Sequence, residues 1–282
     1  MDTCTVRDLV VRNGPVQLAV RVFGRGASCV VLVHGYGTNL LSWLPLVPRL
    51  EDHFTVVAYD RRGHGHSSSA DSYAIDDLAS DVGAVVDGIN LVRPLLVGHS
   101  VGSWDVLTYA ASESNVVGVV CLDQAIAVDD PTWQATYRPT AREERLAQLA
   151  EDPLLTQGYT QAEVDHLMLK AKCAPGLQPW SAYGPMVRRN VTKQSGDLFW
   201  VRPSITDRLL LEQGWQTVIS EPYDAIACPV TLVLAERNTG PFHNALHRLA
   251  TRRNLRSVSV DADHDVHVER PTDIAELVRS MG

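Results

Sequence analysis

The sequence has no stretch that would anchor it in a membrane or mark it for export. No apolar run approaches the ~20 residues that a membrane-spanning helix needs. The amino terminus, MDTCTVRDLVVRNG, carries Asp2 and lacks the apolar core of a secretory signal peptide. We therefore expect a cytoplasmic protein that has no membrane partner.

Lys and Arg are also too few to suggest a nucleic-acid partner. The 282-residue chain has 25 of them against 33 Asp and Glu, which gives a formal net charge of −8. Proteins that bind nucleic acid usually present a basic face to the phosphates. The acidic balance therefore argues against nucleic acid. The hydrophobic content of 45% is enough to bury a sizeable core.

Cysteine and histidine are not arranged for metal binding. The five cysteines are an odd number and include no C-x-x-C pair, and Cys29, Cys121 and Cys228 stand in or beside strand-like apolar runs. A free thiol in such a run is usually a small buried hydrophobe. The ten histidines also lack the spacing of metal ligands, since His64 and His66 lie in a glycine-rich turn. We expect neither a disulfide framework nor a bound metal.

What the sequence does contain is an alternation of strand-like and helix-like segments. Two alternating apolar segments near the start flank Asn13-Gly14, a strong signal for a β-hairpin. The later β-rich runs are 29–35, 54–60, 95–100, 118–123, 229–236 and 255–261. The helix-like stretches are 40–51, 74–89, 101–112, 241–253 and one from Pro271, with Thr272 or Asp273 as its cap. This alternation predicts an α/β fold whose central sheet is mostly parallel and flanked by helices.

Residues 129–222 break this rhythm. They hold no clear β run, are rich in helix-forming stretches and carry four of the six tryptophans. We predict a helical cap inserted between two parts of one core, residues 1–128 and 223–282. In that cap, Trp133 and Trp180 are the predicted substrate contacts. The alternative is that the segment is additional core, in which the tryptophans fill space.

Ser100 stands between two glycines in the stretch LLVGHSVGSW, after a β run and before a helix-like pattern. A strand that turns into a helix this sharply brings neighbouring backbones close, so the positions two before and two after the serine need very small side chains. Such a turn exposes the hydroxyl and places the N–H of Val101 at a helix N-terminus, where negative charge can be stabilised. The pattern predicts Ser100 as a nucleophile and Val101 as part of an oxyanion hole.

Four motifs, in this order, resemble those of the α/β-hydrolase superfamily. They are the HG-x loop in VLVHGYGTNLLSW, the D-x-R-G-x-G-x-S loop in VVAYDRRGHGHSS, the nucleophile turn in LLVGHSVGS and the closing histidine loop in DADHDVHVERPTDIAELV. The resemblance covers about residues 5–128 and 223–281. It implies that His264 is the catalytic base, and that the backbone N–H of Tyr36 joins that of Val101 in the oxyanion hole.

Two other histidines, His267 and His243, compete with His264 for the role of the base. His267 falls three places after His264, where the family commonly has another polar or aromatic residue. The sequence departs from the motif at Asp263, which stands where the family usually has glycine and adds negative charge beside His264. The resemblance favours His264.

The carboxylate that should orient this imidazole is not at the family's usual place. After PVTLVLAE the family usually has G-x-x-D, and here Asn238 takes the position of the acid. Asparagine can accept a hydrogen bond from the imidazole but cannot balance the imidazolium charge. Asp123, at the end of GVVCLD, is the favoured replacement, because haloalkane dehalogenases and some lipases of this fold take their acid from that strand end. Glu236 is the second choice, and a weakened Ser-His dyad is the third.

The predicted residues are those of an acyl-transfer enzyme. Serine at position 100 argues against dehalogenase or epoxide hydrolase chemistry, which uses a carboxylate nucleophile in this fold. We predict a serine hydrolase that cleaves an ester, thioester or lactone of a bulky apolar or aromatic acyl group through an acyl-Ser100 intermediate. No metal or organic cofactor is needed. The partner is a small-molecule acyl substrate, free or on a carrier protein, and the enzyme acts as a monomer or homodimer.

Two other functions remain open on the sequence. An acyltransferase that moves an acyl group from a carrier thioester to an acceptor other than water would carry the same catalytic residues. A non-catalytic ligand-binding member of the fold is the third hypothesis, which the altered acid position supports.

Overall fold

A central β-sheet organises the chain. The computed structural model describes residues 6–124, 131, 160–165, 188–193, 199–201, 203–215, 222–239, 241–252 and 255–282. The strands are β1 Arg7–Asn13, β2 Val16–Phe23, β3 Ser28–Val33, β4 Phe54–Tyr59, β5 Leu95–His99, β6 Gly118–Leu122, β7 Val191–Lys193, β8 Phe199–Val201, β9 Val230–Ala235 and β10 Arg256–Val260. The α-helices are α1 Ile75–Gly88, α2 Gly102–Ser112, α3 Ile205–Trp215, α4 Pro241–Arg252, α5 Val266–Glu269 and α6 Pro271–Arg279.

Eight of these strands form one sheet in the order β1-β2-β4-β3-β5-β6-β9-β10. The hairpin β1–β2 is antiparallel and turns at Gly14, whose φ is +57°, and β2 also runs antiparallel to β4. All the other neighbours in this sheet are parallel. The α/β fold predicted from the sequence is confirmed, including the antiparallel hairpin at its start.

The sheet is buried on both faces, which explains why its strands are nearly continuous apolar runs. Successive residues of β3 alternate between two cores: Val31 packs with α1, α2 and α4, whereas Leu32 packs with α6 and the segment around Trp43. Each fully buried Val or Leu contributes about 1.5–3 kcal/mol to folding. The same rigid sheet fixes where every strand ends, and so positions the loops that follow the strands.

Prolines interrupt one predicted helix and set the first residue of another. The predicted helix over 40–51 is two short 3₁₀ helices, Leu40–Trp43 and Val47–Arg49. Pro45 lies between them, and a proline inside a helix removes a backbone donor and clashes with the preceding turn. At α6 the predicted caps are wrong: the helix begins at Pro271 and its N-cap is Arg270, which makes no side-chain cap bond. Proline suits the first turn because its missing N–H would have no partner there.

The structure describes only parts of the predicted insertion between β6 and β9. These parts include α3 and a small antiparallel hairpin of β7 and β8, where the sequence predicts no strand. Strands of three residues are too short to show a period-2 pattern. Trp133 and Trp180 lie outside the described residues, so their contact with substrate stays a prediction, as do the domain boundaries. Of the helices that the structure describes, none combines the length and apolar character needed to span a bilayer.

Candidate active site

Ser100, Asp123 and His264 all follow parallel strands at the same edge of the sheet. Ser100 comes directly after β5, Asp123 directly after β6, and His264 four residues after the end of β10. The carboxyl ends of parallel strands form the edge where ligands bind in open α/β sheets. The strand order therefore brings together three residues that are far apart in the sequence.

The backbone at Ser100 has the conformation of a sharp strand-to-helix turn. Its φ is +52°, in the left-handed region that a residue with a side chain rarely adopts. The N–H of Ser100 donates to the carbonyl of Leu122 at 2.9 Å, and its carbonyl accepts from the N–H of Ser103 at 2.9 Å. Ser100 is half-buried between these elements. The neighbouring strand and helix thus hold the strained turn in place.

The flanking glycines are required by close backbone contacts. A Cβ atom on Gly98 would lie 2.5 Å from the carbonyl oxygen of Gly102, and one on Gly102 would lie 2.5 Å from that of Val33. Distances this short do not occur between real atoms of these types. The prediction that small residues must flank the serine therefore has a direct geometric cause.

The HG-x loop passes beside the serine. A Cβ atom on Gly35 would lie 3.0 Å from the Cβ of Ser100, so the main chain that leads into Tyr36 is adjacent to the nucleophile turn. On the other side of the serine, Val101 begins the turn into α2. In the described part of the chain, the N–H of Val101 has no acceptor. The main chain at Gly35 and the turn at Val101 therefore lie on either side of Ser100, next to the two backbone groups assigned to the oxyanion hole.

Asp123 is held by hydrogen bonds to both of its carboxylate oxygens. Its Oδ1 accepts from the N–H of Ala235 at 3.1 Å, and its Oδ2 accepts from the side-chain amide of Asn238 at 2.5 Å. The same Oδ2 lies 2.8 Å from Nδ1 of His264. Asp123 is buried and has a φ of +53°, so it is a second strained residue at a strand end. Its carboxylate has a fixed orientation toward the imidazole.

The ring of His264 is accessible, whereas the carboxylate that it contacts is buried. Its side chain is 45% exposed, whereas the side chain of Asp123 is completely buried. Burial lowers the pKa of His264. The hydrogen bond to Asp123, the charge of Asp123 and the charge of Asp265 all raise it, and together they outweigh burial, so the pKa lies above its ordinary value. With Nδ1 bonded to Asp123, Nε2 is the nitrogen left for proton transfer.

The competing histidines have other surroundings. His267 is fully buried and packs against Trp43 with its ring tilted by 42° and ring centroids 4.3 Å apart. Burial and the nearby His264 lower the pKa of His267 to about 3. Within the described residues neither of its ring nitrogens has a hydrogen-bond partner. His243 lies on α4 and pairs with His247, with their Nε2 atoms 3.0 Å apart. The structure brings His264, and not these two, to Asp123.

Glu236, the second choice for the acid, is exposed in the turn after β9. Its backbone N–H donates to the carbonyl of Val260 at 2.9 Å, which fixes the start of that turn. The carboxylate that reaches Nδ1 of His264 is that of Asp123. Asn238, two residues after Glu236, binds this carboxylate instead of replacing it.

His99, to which no sequence motif assigns a role, supports the histidine loop. It precedes Ser100 and is buried, and its Nε2 lies 3.0 Å from the backbone carbonyl oxygen of His264. Burial, followed by the nearby His267 and His264, holds the pKa of His99 well below its ordinary value. A neutral His99 with its proton on Nε2 donates to that carbonyl. The only sequence signal for this role was its position beside the serine.

The charged residues of the D-x-R-G-x-G-x-S loop brace the scaffold. Arg61 forms a buried bidentate ion pair with Asp105, at 2.6 and 3.0 Å. The backbone N–H of Arg61 also donates to Nε2 of His34 at 2.9 Å, which ties this loop to the HG-x loop. Burial, followed by the nearby His64 and Arg61, keeps the pKa of His34 well below its ordinary value. These contacts give His34 a structural role.

Asn190, from the predicted cap, is bonded to the HG-x loop. Its Nδ2 donates to the carbonyl of Gly37 at 2.9 Å, and its Oδ1 accepts from Nδ2 of Asn39 at 2.9 Å and from the N–H of Gly65 at 3.2 Å. Asn190 is buried. Its bonds fix the main chain directly after Tyr36. No pattern in the sequence pointed to this residue, because its partners lie more than a hundred positions away.

An aromatic cluster borders the two oxyanion residues. Helix α3 places Leu211 and Trp215 in one buried cluster with Val101 and Trp104, and Tyr36 packs against it. The ring of Tyr36 meets that of Trp215 edge to face, with centroids 5.2 Å apart. The wall beside the serine turn is therefore apolar and largely aromatic.

The sequence resembles proteins of one known family. The sequence matches the alpha/beta hydrolase family over residues 30–277. It is 30% identical over 173 residues to a 2-(acetamidomethylene)succinate hydrolase from Mesorhizobium japonicum, a match that covers 59% of this chain and 60% of that protein. Matches to other curated relatives span between 22% and 65% of those proteins' length. Among these relatives, two are named as hydrolases and one as an enol-lactonase.

Two solved structures share the whole fold. The crystal structure of E-2-(acetamidomethylene)succinate hydrolase aligns with a TM-score of 0.78 at 24% identity, covering 98% of this chain and 99% of that one. The thioesterase domain from the curacin biosynthetic pathway aligns with a TM-score of 0.77 at 19% identity, covering 98% and 99%. Because one fold carries many activities, identities this low show the architecture and leave the reaction to be argued from the site.

Proposed function

The chain belongs to the alpha/beta hydrolase family, and from this premise we propose that it is a serine hydrolase that acts through an acyl intermediate on Ser100. Its substrates are esters, thioesters or lactones. The observation that carries the proposal is the 2.8 Å contact between Oδ2 of Asp123 and Nδ1 of His264, at the edge of the sheet where the Ser100 turn lies. A serine hydroxyl becomes a strong nucleophile only when such a base takes its proton.

The reaction proceeds in two halves. Oγ of Ser100 attacks the carbonyl carbon while its proton passes to Nε2 of His264, and the carbonyl oxygen becomes an oxyanion. The backbone N–H groups of Tyr36 and Val101 stabilise this oxyanion. When the tetrahedral intermediate collapses, His264 gives the proton to the leaving oxygen or sulfur, and the acyl group remains on Ser100. A water molecule, deprotonated by His264, then releases the acid and restores the serine.

Asp123 supplies the charge that this cycle needs. It fixes the tautomer in which Nδ1 carries a proton, and it stabilises the imidazolium that forms when His264 takes the second proton. Asn238 and the N–H of Ala235 hold the carboxylate in place for both tasks. The raised pKa of His264 is consistent with a base whose protonated form is stabilised.

The apolar surroundings support an acyl group with a bulky apolar or aromatic body. Tyr36 lies beside the serine turn, backed by the buried rings of Trp104 and Trp215, and a flat ring packs well against an acyl group of this kind. The predicted partner remains a small-molecule acyl substrate, free or attached to a carrier. Trp133 and Trp180 stay predicted contacts in the part of the cap outside the described residues.

Labelling with a fluorophosphonate tests the proposal. The reagent should attach to Ser100 in the wild-type protein and not in a folded Ser100→Ala variant, as intact mass and peptide mapping would show. A panel of p-nitrophenyl esters and acyl thioesters of rising chain length should then give turnover that depends on Ser100. Product analysis with added acceptors would show whether water receives the acyl group. A folded wild-type protein that neither labels nor turns over any member of the panel would refute the proposal.

A further inference from the structure

We propose that Arg208 binds an anionic group on the acyl part of the substrate, so that this enzyme prefers acyl groups ending in a carboxylate. The inference rests on the proposed acyl-enzyme chemistry at Ser100 and narrows its substrate class. It is carried by the placement of one guanidinium group beside the oxyanion loop, and by the finding that no carboxylate among the described residues pairs with it.

Helix α3 aims Arg208 toward the serine turn. Arg208, Leu211 and Trp215 are spaced three and seven residues apart, which puts them on one face of the helix. Leu211 and Trp215 are buried in the cluster that contains Val101, so this face packs over the nucleophile turn. Arg208 stands on the same face, one turn nearer the start of the helix.

The guanidinium lies over the ring of Tyr36. Its Cζ is 5.8 Å from the ring centroid, within the range of a cation–π contact. Its Nε donates to the carbonyl of Pro203 at 2.9 Å, which restricts rotation of the group. Tyr36 follows Gly35, whose backbone abuts Ser100. The positive charge is thereby held next to the residue assigned to the oxyanion hole.

Arg208 differs from the other arginines around the site in its partners. Those arginines are each bound by an aspartate, whereas in the described part of the chain Nη1 and Nη2 of Arg208 have no acceptor. The half-buried position of Arg208 keeps it within reach of a ligand. The aspartate-bound pairs are Arg61 with Asp105, Arg62 with Asp81, and Arg189 with Asp60.

The geometry of the free donors selects a carboxylate. Nε is already occupied, so the two remaining nitrogens present a planar pair of N–H groups that matches the two oxygens of a carboxylate. Tyr36, backed by the buried rings of Trp104 and Trp215, forms an apolar wall beside these donors. An acyl chain that lies along this wall and ends in a carboxylate satisfies both features. The substrate class is therefore a monoester, monothioester or lactone derived from a dicarboxylic acid.

A matched pair of esters tests the effect of the negative charge on the substrate separately from the rest of its structure. One is the p-nitrophenyl monoester of a dicarboxylic acid with six to eight carbons, and the other carries a neutral terminal amide in place of the free acid. Both are assayed with the wild-type enzyme, with Arg208→Gln and with Arg208→Lys. Arg256→Gln is the control, because Arg256 is exposed at the amino end of β10, away from the site. Release of p-nitrophenol with Ser100→Ala gives the uncatalysed background.

We expect the wild-type enzyme and the control to favour the acid by about 10- to 100-fold in kcat/KM, the size expected of hydrogen bonds to a charged group. Arg208→Gln should lose this preference through KM and keep its activity on the amide, and Arg208→Lys should retain part of the preference. Equal ratios in the wild type and Arg208→Gln would overturn the inference. The inference would also be overturned if Arg208→Gln lost activity equally on both esters while its melting temperature matched that of the wild type.

Direct binding separates this inference from the proposed reaction. Adipate should quench or shift the tryptophan fluorescence of the wild-type protein, since Trp215 adjoins Tyr36, and Arg208→Gln should bind it at least about tenfold more weakly. If Ser100 reacts with the fluorophosphonate but neither assay depends on Arg208, only the inference fails. If Ser100 does not react while adipate binding depends on Arg208, only the proposed reaction fails.

Discussion

Asn238 donates its side-chain amide to the same oxygen of Asp123 that accepts the hydrogen bond from His264, at 2.5 and 2.8 Å. Asn238 occupies the place after β9 where a carboxylate is usual in this fold, while the carboxylate itself ends β6. Because β6 and β9 are neighbours in the sheet, the residue after β9 reaches the carboxylate that follows β6. Asn238 therefore holds the catalytic acid in place from the position that the acid itself usually occupies in this fold.

Asp123→Asn should lower kcat by up to ~10⁴, the loss known for the equivalent change in another enzyme's triad, because the variant keeps the shape but loses the charge and permits the wrong tautomer. Glu236→Gln, a matched change at an exposed carboxylate of the next strand end, should change kcat little. Steady-state kinetics of both variants at equal folding checks this. A severe loss in Glu236→Gln with normal turnover in Asp123→Asn would move the acid to β9.

The pH profile should carry the signature of the Asp123–His264 pair. His264 acts as a base only when neutral, so kcat/KM should fall as the pH drops through its pKa, which lies above the ordinary value of 6.5. Removing the charge with Asp123→Asn leaves burial as the main influence and should move this acidic limb to lower pH. The measurement is kcat/KM from pH 5 to 9 for both proteins. An unmoved limb in the variant would mean that another group controls it.

The strained turn at Ser100 predicts an unusual order of stability. At a φ of +52°, a residue with a side chain is in an unfavourable backbone conformation, whereas glycine adopts this conformation without steric cost. Ser100→Gly should therefore unfold at higher urea concentration than Ser100→Ala, by about 1 kcal/mol in free energy of unfolding. Both variants should be inactive. If alanine proves the more stable replacement, the turn is not strained in solution.

Asn190→Ala should impair catalysis more than substrate binding. The variant removes three hydrogen bonds to the loops at Gly37, Asn39 and Gly65, so the N–H of Tyr36 is no longer held in position. A misplacement of about 1 Å can cost roughly 10²-fold in rate. We expect kcat to fall with a small change in KM, and affinity for a boronic acid inhibitor to weaken in parallel. A normal kcat at unchanged inhibitor affinity would leave Asn190 with a merely structural role.

Acid should destabilise the protein partly through His267. Its folded-state pKa is about 3 and its ordinary value is 6.5, so the unfolded chain binds the additional proton. The stability linked to this neutral histidine is complete above pH 6.5 and is lost as the pH falls toward 3. His267→Phe, which keeps a ring against Trp43, should reduce the loss of urea resistance between pH 7.5 and pH 5. An identical loss in wild type and variant would contradict this account.

Features set by local sequence could be predicted well. Apolar runs gave the strands, Asn13-Gly14 gave the hairpin, and the glycines around Ser100 reflect backbone contacts within a few residues. The proline-bearing stretch 40–51 was less clear, because its apolar spacing suits a helix while Pro45 prevents a continuous one. Local patterns thus predict an element whenever its own residues decide it.

Features that depend on distant contacts could not be predicted in the same way. Asp123 was favoured over Glu236 through the family resemblance alone, because no local pattern in the sequence shows that β6 and β9 are adjacent. Asn190 binds Asn39 across 151 residues, and Arg208 lies over Tyr36 from a helix whose sequence shows only an ordinary mix of apolar and charged residues. No periodicity or motif predicts these contacts, since they form only when separate segments of the chain pack together.

The bond between Asp123 and Asn238 also constrains how such a site can change during descent. Relocating the acid from one strand end to the other by single substitutions leads through an ancestor with aspartate at both positions or with asparagine at both. The first places two carboxylates where the amide of Asn238 and the carboxylate of Asp123 now lie 2.5 Å apart, and at that distance the two acids must share a proton. The second leaves the imidazolium without a counter-charge. The doubly acidic route keeps one negative charge beside the imidazolium throughout, so we expect this order of substitutions to preserve the reaction.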